Sequence, residues 1–107
     1  MTTSPTFLDR ALHAVADPAR RRILAALKEK TPTQTSRMAT KPGSRTNCLC
    51  AGEIEERMQL SQSTISHHMA ILTKAGLVEA EKQGQWRWYR RNEKALRKMA
   101  KSLRAQL

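Results

Sequence analysis

The chain has 107 residues, which is enough for one domain and too few for two of ordinary size. Its 20 Lys and Arg outnumber 9 Asp and Glu, and the formal net charge of +11 at pH 7 favours a polyanionic partner, most simply nucleic acid. No apolar run is long enough to span a bilayer, and residues 1–10 lack the pattern of a secretory signal. Two cysteines are also too few for a disulfide scaffold. We therefore expect a cytoplasmic protein without a membrane partner.

Two amphipathic helices are predicted at the start of the chain. The first is indicated by apolar residues at helical spacing, namely Phe7, Leu8, Ala11, Leu12 and Val15. The second begins at Asp17-Pro18, a capping residue followed by proline at the first helical position, and runs to about Lys28. Its first two turns carry three cations that oppose the helix dipole, Arg20, Arg21 and Arg22. We therefore expect these arginines to point outward into solvent or to contact phosphate.

Residues 30–47 differ in composition from the rest of the chain. Threonine, proline and basic residues dominate this stretch, and almost nothing in it is apolar. It is also far longer than the usual connection of about 4–6 residues. We predict a mobile insert within a single domain that covers residues 1–107. Two interpretations stay open, an inert linker and a basic arm that follows DNA phosphates.

A helix-turn-helix is predicted at residues 51–75. Its first helix, at residues 51–58, places Ile54 and Met58 on one face. A turn of three residues follows, which is the length typical of this motif. Ser61, the last of the three, can accept a hydrogen bond from the first turn of the second helix.

The second helix of the motif has two contrasting sides. One side carries the apolar residues at spacings i, i+4 and i+7, and these are Ile65, Met69 and Leu72. The other side carries small or planar polar groups without any acid, and it comprises Gln62, Ser63, Ser66, His67 and Ala70. Such a surface can enter an electron-rich groove without repulsion, so we predict that this helix is the recognition helix.

A hairpin and a final helix complete the predicted fold. Strands are expected at residues 77–82 and 85–90, joined at Gln83-Gly84, after a helix that ends at Gly76. The hairpin is a wing whose tip places three polar side chains near the sugar-phosphate backbone, Lys82, Gln83 and Gln85. Three aromatic residues favour a β conformation for the second strand, Trp86, Trp88 and Tyr89. The two tryptophans are expected to pack beneath the wing or, alternatively, to stack on single strands.

The final helix should begin at Asn92 or Glu93. One face carries an apolar row, Leu96, Met99, Ala100, Leu103 and Leu107, and the other face carries a basic row, Arg97, Lys98, Lys101 and Arg104. The predicted fold class is therefore mainly α with a small β-hairpin wing. It is a winged helix-turn-helix in the order α-α-(insert)-α-α-β-β-α.

This order of elements resembles the ArsR/SmtB family of bacterial winged helix-turn-helix repressors. The matching segments are residues 16–24, 60–68, 72–78 and 84–90, with the run Ser-Gln-Ser-Thr-Ile-Ser-His-His as the most specific signal. The resemblance implies a homodimer built from the N- and C-terminal helices, with two recognition helices about 34 Å apart in successive major grooves of double-stranded DNA. It also implies repression of an operator, released by an effector.

Residue roles follow from the same resemblance. It implies groove contacts from one run of the recognition helix, Gln62, Ser63, Thr64, Ser66 and His67, whose polar side chains can donate to and accept from base edges. His68 is expected to be packed against the protein rather than to contact bases. The family also has a zinc site of Asp and His on its last helix, but residues 92–107 contain neither residue type, so this site is not expected.

Cys48 and Cys50 lie just before the helix-turn-helix. The metal-sensing members of the family carry Cys-x-Cys followed by an acid in this helix. Here Cys50 matches the first cysteine, Gly52 replaces the second and Glu53 is the acid. Two thiols at i and i+2 in extended backbone point to one side and can hold a thiophilic ion such as As(III), Cd(II) or Hg(II). A helix N-terminus and cationic surroundings also favour the thiolate that reacts with oxidants.

A tetrahedral metal site needs further ligands, which His13, another histidine or a second protomer would have to supply. The alternative is that both cysteines are small apolar fillers beneath the helix-turn-helix. We predict a non-enzymatic protein, because no acid–base partner is adjacent to either thiol. Two other classes stay open besides the operator-binding regulator: a thiol-based metal carrier or redox protein, and a nucleic-acid packing protein without sequence preference.

Overall fold

Five helices and three short strands make up residues 6–29 and 48–107, the part of the chain that the computed structural model describes. In chain order they are α1 (Phe7–Val15), α2 (Pro18–Glu29), β1 (Leu49–Cys50), α3 (Ala51–Met58), α4 (Gln62–Lys74), β2 (Val78–Gln83), β3 (Trp86–Arg91) and α5 (Glu93–Gln106). The predicted class of mainly α fold with a small β wing is confirmed. The predicted insert at residues 30–47 lies outside the described residues.

Helix starts follow the capping residues of the sequence. Ser61 Oγ accepts a hydrogen bond from the Thr64 backbone N–H at 3.2 Å at the start of α4. Asn92 Oδ1 accepts one from the Ala95 N–H at 3.1 Å at the start of α5. Asp17 caps α2 in the same way. Each bond satisfies an N–H group that the first turn of a helix leaves without an intrahelical partner.

The arginines at the start of α2 close the end of the preceding helix, so the prediction that they all face solvent or phosphate was wrong. Arg20 is 7% exposed, and it donates from Nε to the Ala14 carbonyl at 2.6 Å and from Nη2 to the His13 carbonyl at 3.2 Å. Arg21 donates to the Val15 carbonyl, while the third arginine of the run is exposed. These carbonyls form the negative end of the α1 dipole, which stabilises cations placed there.

One apolar core joins α2, α3 and α4 to the sheet. The apolar stripes predicted for α3 and α4 are buried in this core, together with residues of α2 and of the segment after α4. The most completely buried side chains include Ile23, Leu27, Ile54, Ile65, Met69, Leu72 and Leu77. Because α3 and α4 both bury their apolar stripes in this core, the opposite side of α4 is turned toward solvent.

The sheet contains a strand that the sequence analysis did not include. Its order is β1-β3-β2, and both pairings with the central strand β3 are antiparallel. The short strand β1 aligns Leu49 with Tyr89 and Cys50 with Trp88. The segment just before α3 is therefore fixed to the wing.

The wing is shifted by one residue from its predicted position. Strand β2 continues through Gln83, which is aligned with Trp86, so the loop consists of Gly84 and Gln85 rather than beginning at Gln83. Gly84 has a φ of 59°. The two-residue loops that are common in hairpins require positive φ at their first position, where glycine is favoured, and this fixes the register.

Helix α5 has no buried residue, although its predicted apolar row is present. Met99 and Leu103 are half-buried, and Leu107 is 96% exposed. The helix packs on α1, where the Lys98 Nζ lies 4.5 Å from the centre of the Phe7 ring. A single chain therefore leaves much of this apolar row in contact with solvent.

Candidate nucleic-acid interface

The exposed side of α4 has the composition that the sequence predicted. Five of its side chains are exposed, Gln62, Ser63, Ser66, His67 and Ala70. Thr64 is half-buried, and its Oγ1 accepts a hydrogen bond from Ser61 Oγ at 2.9 Å. No Asp or Glu occurs in α4, and its N-terminus carries the positive end of the helix dipole. Amide, hydroxyl and imidazole groups on this surface can pair with donors and acceptors of base edges in a major groove.

The wing adds cationic groups beside this surface. The Cα atoms of Lys82 and Arg87 are cross-strand partners, so their side chains share one face of the hairpin. Arg87 also lines a groove of about 270 Å³ between α4 and the wing, together with Ser66 and Lys74. Gln85 is exposed in the hairpin loop. The polar side of α4 and the basic face of the wing thus form one continuous surface.

Sequence reasoning missed Arg87 as a member of this surface. The available signal was strand alternation: Arg87 is two residues from Tyr89, which enters the core, so both lie on the face of the wing that packs toward α4.

His68 is packed inside the protein, as predicted. It is 8% exposed, and its Nδ1 lies 3.2 Å from Nη1 of Arg20. Because a guanidinium only donates, Nδ1 must accept, which places the hydrogen of the neutral ring on Nε2. Burial lowers the pKa of His68; the Asp17 carboxylate opposes this effect, while the charges of Arg20 and His67 add to it. The ring is therefore neutral at pH 7.

The two cysteines lie on the sheet face opposite to the one that enters the core. Cys50 is 1% exposed and is aligned with Trp88. Cys48 is half-buried and lines a cavity of about 140 Å³ with side chains of the wing, Glu79, Glu81, Trp88 and Arg90. The backbone N–H of Cys50 donates to Glu53 Oε1 at 2.9 Å, so the acid that follows the pair holds the start of α3.

The described residues show no complete set of metal ligands around this pair. Within residues 6–29 and 48–107, no group of three His, Cys, Asp or Glu side chains is arranged to hold a metal ion. A third ligand from His13, another histidine or a second protomer therefore stays a prediction. His13 lines a groove between α1 and α4. No disulfide joins Cys48 to Cys50.

Comparison with known proteins identifies the family. A family model described as a helix-turn-helix domain matches residues 15–81. The transcriptional repressor SdpR of Bacillus subtilis is 30% identical over 89 residues, which cover 83% of this chain and 80% of the relative. The arsenical resistance operon repressor of Staphylococcus aureus is 44% identical over 48 residues, covering 45% of this chain and 46% of the relative. The chain belongs to the ArsR/SmtB family.

A further relative is similar in sequence, and two solved structures share the fold. The HTH-type transcriptional regulator YbzH of Bacillus subtilis is 36% identical over 59 residues, which cover 55% of this chain and 59% of the relative. The crystal structure of an ArsR family transcriptional regulator has a TM-score of 0.71 at 21% identity, covering 99% and 92% of the two chains. A homodimeric winged helix-turn-helix domain of Mycobacterium bovis has a TM-score of 0.65 at 22% identity, covering 94% and 78%.

Family membership settles the class of protein. Like other ArsR/SmtB proteins, this chain is a DNA-binding transcriptional regulator, and the family is not enzymatic. Among the helices of the described residues, none combines the length and the apolar character needed to cross a membrane.

Proposed function

We propose that the chain acts in the cytoplasm as a homodimeric repressor, with α4 of each protomer in the major groove of one operator half-site. The observation that carries this proposal is the two-sided α4, whose apolar stripe is buried while its polar, acid-free side is exposed. The name of SdpR and the homodimeric relative from Mycobacterium bovis support repression and pairing.

The proposed contacts divide between bases and phosphates. Gln62, Ser63, Ser66 and His67 would contact base edges, where amide and imidazole groups can discriminate one base pair from another. Cationic and amide groups of the wing would contact the DNA backbone, and they belong to Lys82, Gln83, Gln85 and Arg87. Backbone contacts fix the orientation of the protein on DNA but carry no sequence information. The proposed DNA contacts also include Thr64, in the first turn of α4.

Alanine substitutions on α4 test this proposal. An operator is first selected from a random duplex pool with the wild-type protein, and binding is then measured by fluorescence anisotropy at fixed salt. We expect His67→Ala and Gln62→Ala each to weaken operator binding about tenfold, since they remove base-edge hydrogen bonds. Binding to an unrelated duplex should change little, because phosphate contacts are retained.

His13→Ala is the matched control, since His13 is also an exposed histidine but lies on α1. Its operator affinity should equal that of the wild type. Selection that enriches no sequence, together with a steep salt dependence on every duplex, would instead support the nucleic-acid packing interpretation.

We further propose that a thiophilic ion or an oxidant acts at Cys48 and Cys50 to release the operator. The two residues directly precede α3, and α3 packs on α4. A ligand that pulls on the thiols would move α3 and with it the recognition helix. Release by about 100-fold requires nearly 3 kcal/mol of differential binding, which a thiolate–metal bond can supply. Further ligands would come from the second protomer or from solvent.

A titration of the operator complex tests the effector proposal. Reduced protein is titrated with As(III), Cd(II), Hg(II), Zn(II) and an oxidant, and we expect one of the thiophilic agents to weaken operator binding about 100-fold. The variant Cys48→Ser/Cys50→Ala should bind operator normally and not respond. In a Trp86→Phe background Trp88 is the remaining tryptophan, and because Trp88 is aligned with Cys50 its emission should report binding at the thiols. If every agent leaves both signals unchanged, the cysteines are apolar filler.

A further inference from the structure

A buried polar cluster connects the end of α1 to the recognition helix. The guanidinium of Arg20 bonds to the carbonyls of His13 and Ala14 on one side and faces Nδ1 of His68 on the other. Its Nη1 also lies 3.6 Å from Oδ2 of Asp17. A buried guanidinium is costly to dehydrate unless its donors find acceptors, and here three of its nitrogen atoms do. The arrangement is therefore directional and rigid.

The position of His68 on α4 gives this cluster a geometric role. The apolar stripe of α4 holds the helix in the core through close packing, and a hydrogen bond adds a directional constraint that apolar contacts do not supply. His68 directly follows His67, which belongs to the exposed polar side, and their ring centres are 5.8 Å apart. A hydrogen bond at His68 thus fixes the direction in which the exposed side chains of α4 point.

We propose that Arg20 and His68 are positioning residues for operator recognition. They fix the rotation of α4 about its own axis. This inference rests on the proposed contacts between α4 and base edges. Neither residue needs to touch DNA. Their effect is expected on the affinity for the selected operator, while affinity for unrelated duplexes, which depends on phosphate contacts, should be retained.

The hydrogen bond makes recognition sensitive to acid. The titratable and charged groups around the His68 ring are Asp17, Arg20 and His67. A protonated ring has no acceptor at Nδ1 and faces the guanidinium as a second cation, so the bond is lost. Because the pKa of His68 lies below 6.5, the positioning should be complete at neutral pH and should fail as the pH falls through that lowered value.

Three substitutions separate positioning from folding. Arg20→Met and His68→Leu remove the hydrogen bond, and we expect each to weaken operator binding about tenfold at pH 7.5. The double variant should bind operator no more weakly than Arg20→Met alone, because both substitutions remove the same bond between Arg20 and His68. His68→Asn places an amide oxygen where Nδ1 accepts and should restore operator binding. Urea unfolding confirms that each variant is folded under the binding conditions.

The pH profile is the measurement that a merely structural role would not change. Operator affinity of the wild type should decrease below pH 6.5 relative to that of His68→Asn, whose side chain cannot be protonated at this position. Unchanged operator affinity in Arg20→Met and His68→Leu, or parallel pH profiles of wild type and His68→Asn, would overturn the inference. A wild type that selects no operator would refute the proposed function itself, and the inference with it.

Discussion

Replacing Leu103 with aspartate is expected to make the protein monomeric and to weaken operator binding about 1,000-fold. Leu103 belongs to the apolar row of α5, which has no buried residue in a single chain. If two copies pair through α1 and α5, that row becomes the centre of the interface. A carboxylate placed there would lose its hydration without gaining a partner, which strongly disfavours association.

The expected loss of DNA binding is large because a monomer presents one recognition helix. In a dimer the second helix binds its half-site as an intramolecular event, and such linkage increases affinity by two to four orders of magnitude without any new type of contact. A monomer retains the base contacts of one recognition helix and the phosphate contacts of one wing, so it should still prefer the selected duplex but bind it with low affinity.

Ala105→Asp is the matched control for this variant. Ala105 is exposed on the same helix, and the substitution introduces the same side chain and the same change in charge. Sedimentation velocity should find it dimeric, and circular dichroism should show that α5 persists in both variants. A Leu103→Asp protein that stays dimeric and binds operator normally would show that another surface joins the protomers.

Sequence reasoning succeeded where a structural feature depends on neighbours along the chain. The apolar stripe of α4 and its cap at Ser61 follow from helical spacing and from one local hydrogen bond. The exposed side of α4 follows as well, because a helix that buries one stripe turns the opposite side outward. Most of the candidate interface was therefore predictable.

Features that depend on distant contacts were missed. Strand β1 has two residues, too few for any periodicity, and it exists because its backbone pairs with β3, about 40 positions along the chain. Arg20 was judged by the dipole of its own helix, whereas its partners are the final carbonyls of α1 and a histidine of α4. In both cases the decisive interaction is tertiary, and the sequence does not place its partners side by side.

Replacing Ile65 with alanine is expected to lower the free energy of unfolding by about 2–5 kcal/mol. Ile65 is 1% exposed at the point where α4 enters the core, so the truncation removes buried methyl groups and leaves a cavity. A domain of this size is stable by only about 5–15 kcal/mol, so a large share of its stability would be lost.

The control is Ile71→Ala on the same helix. Because Ile71 is only half-buried, this substitution should lower the free energy of unfolding by less than half as much as Ile65→Ala. Urea unfolding of both variants, followed by far-UV circular dichroism, measures the difference. Equal losses would mean that α4 is not held mainly by its apolar stripe. If Ile65→Ala is destabilised but binds operator normally at temperatures where it is folded, then the apolar stripe determines whether α4 is formed but does not select the DNA sequence.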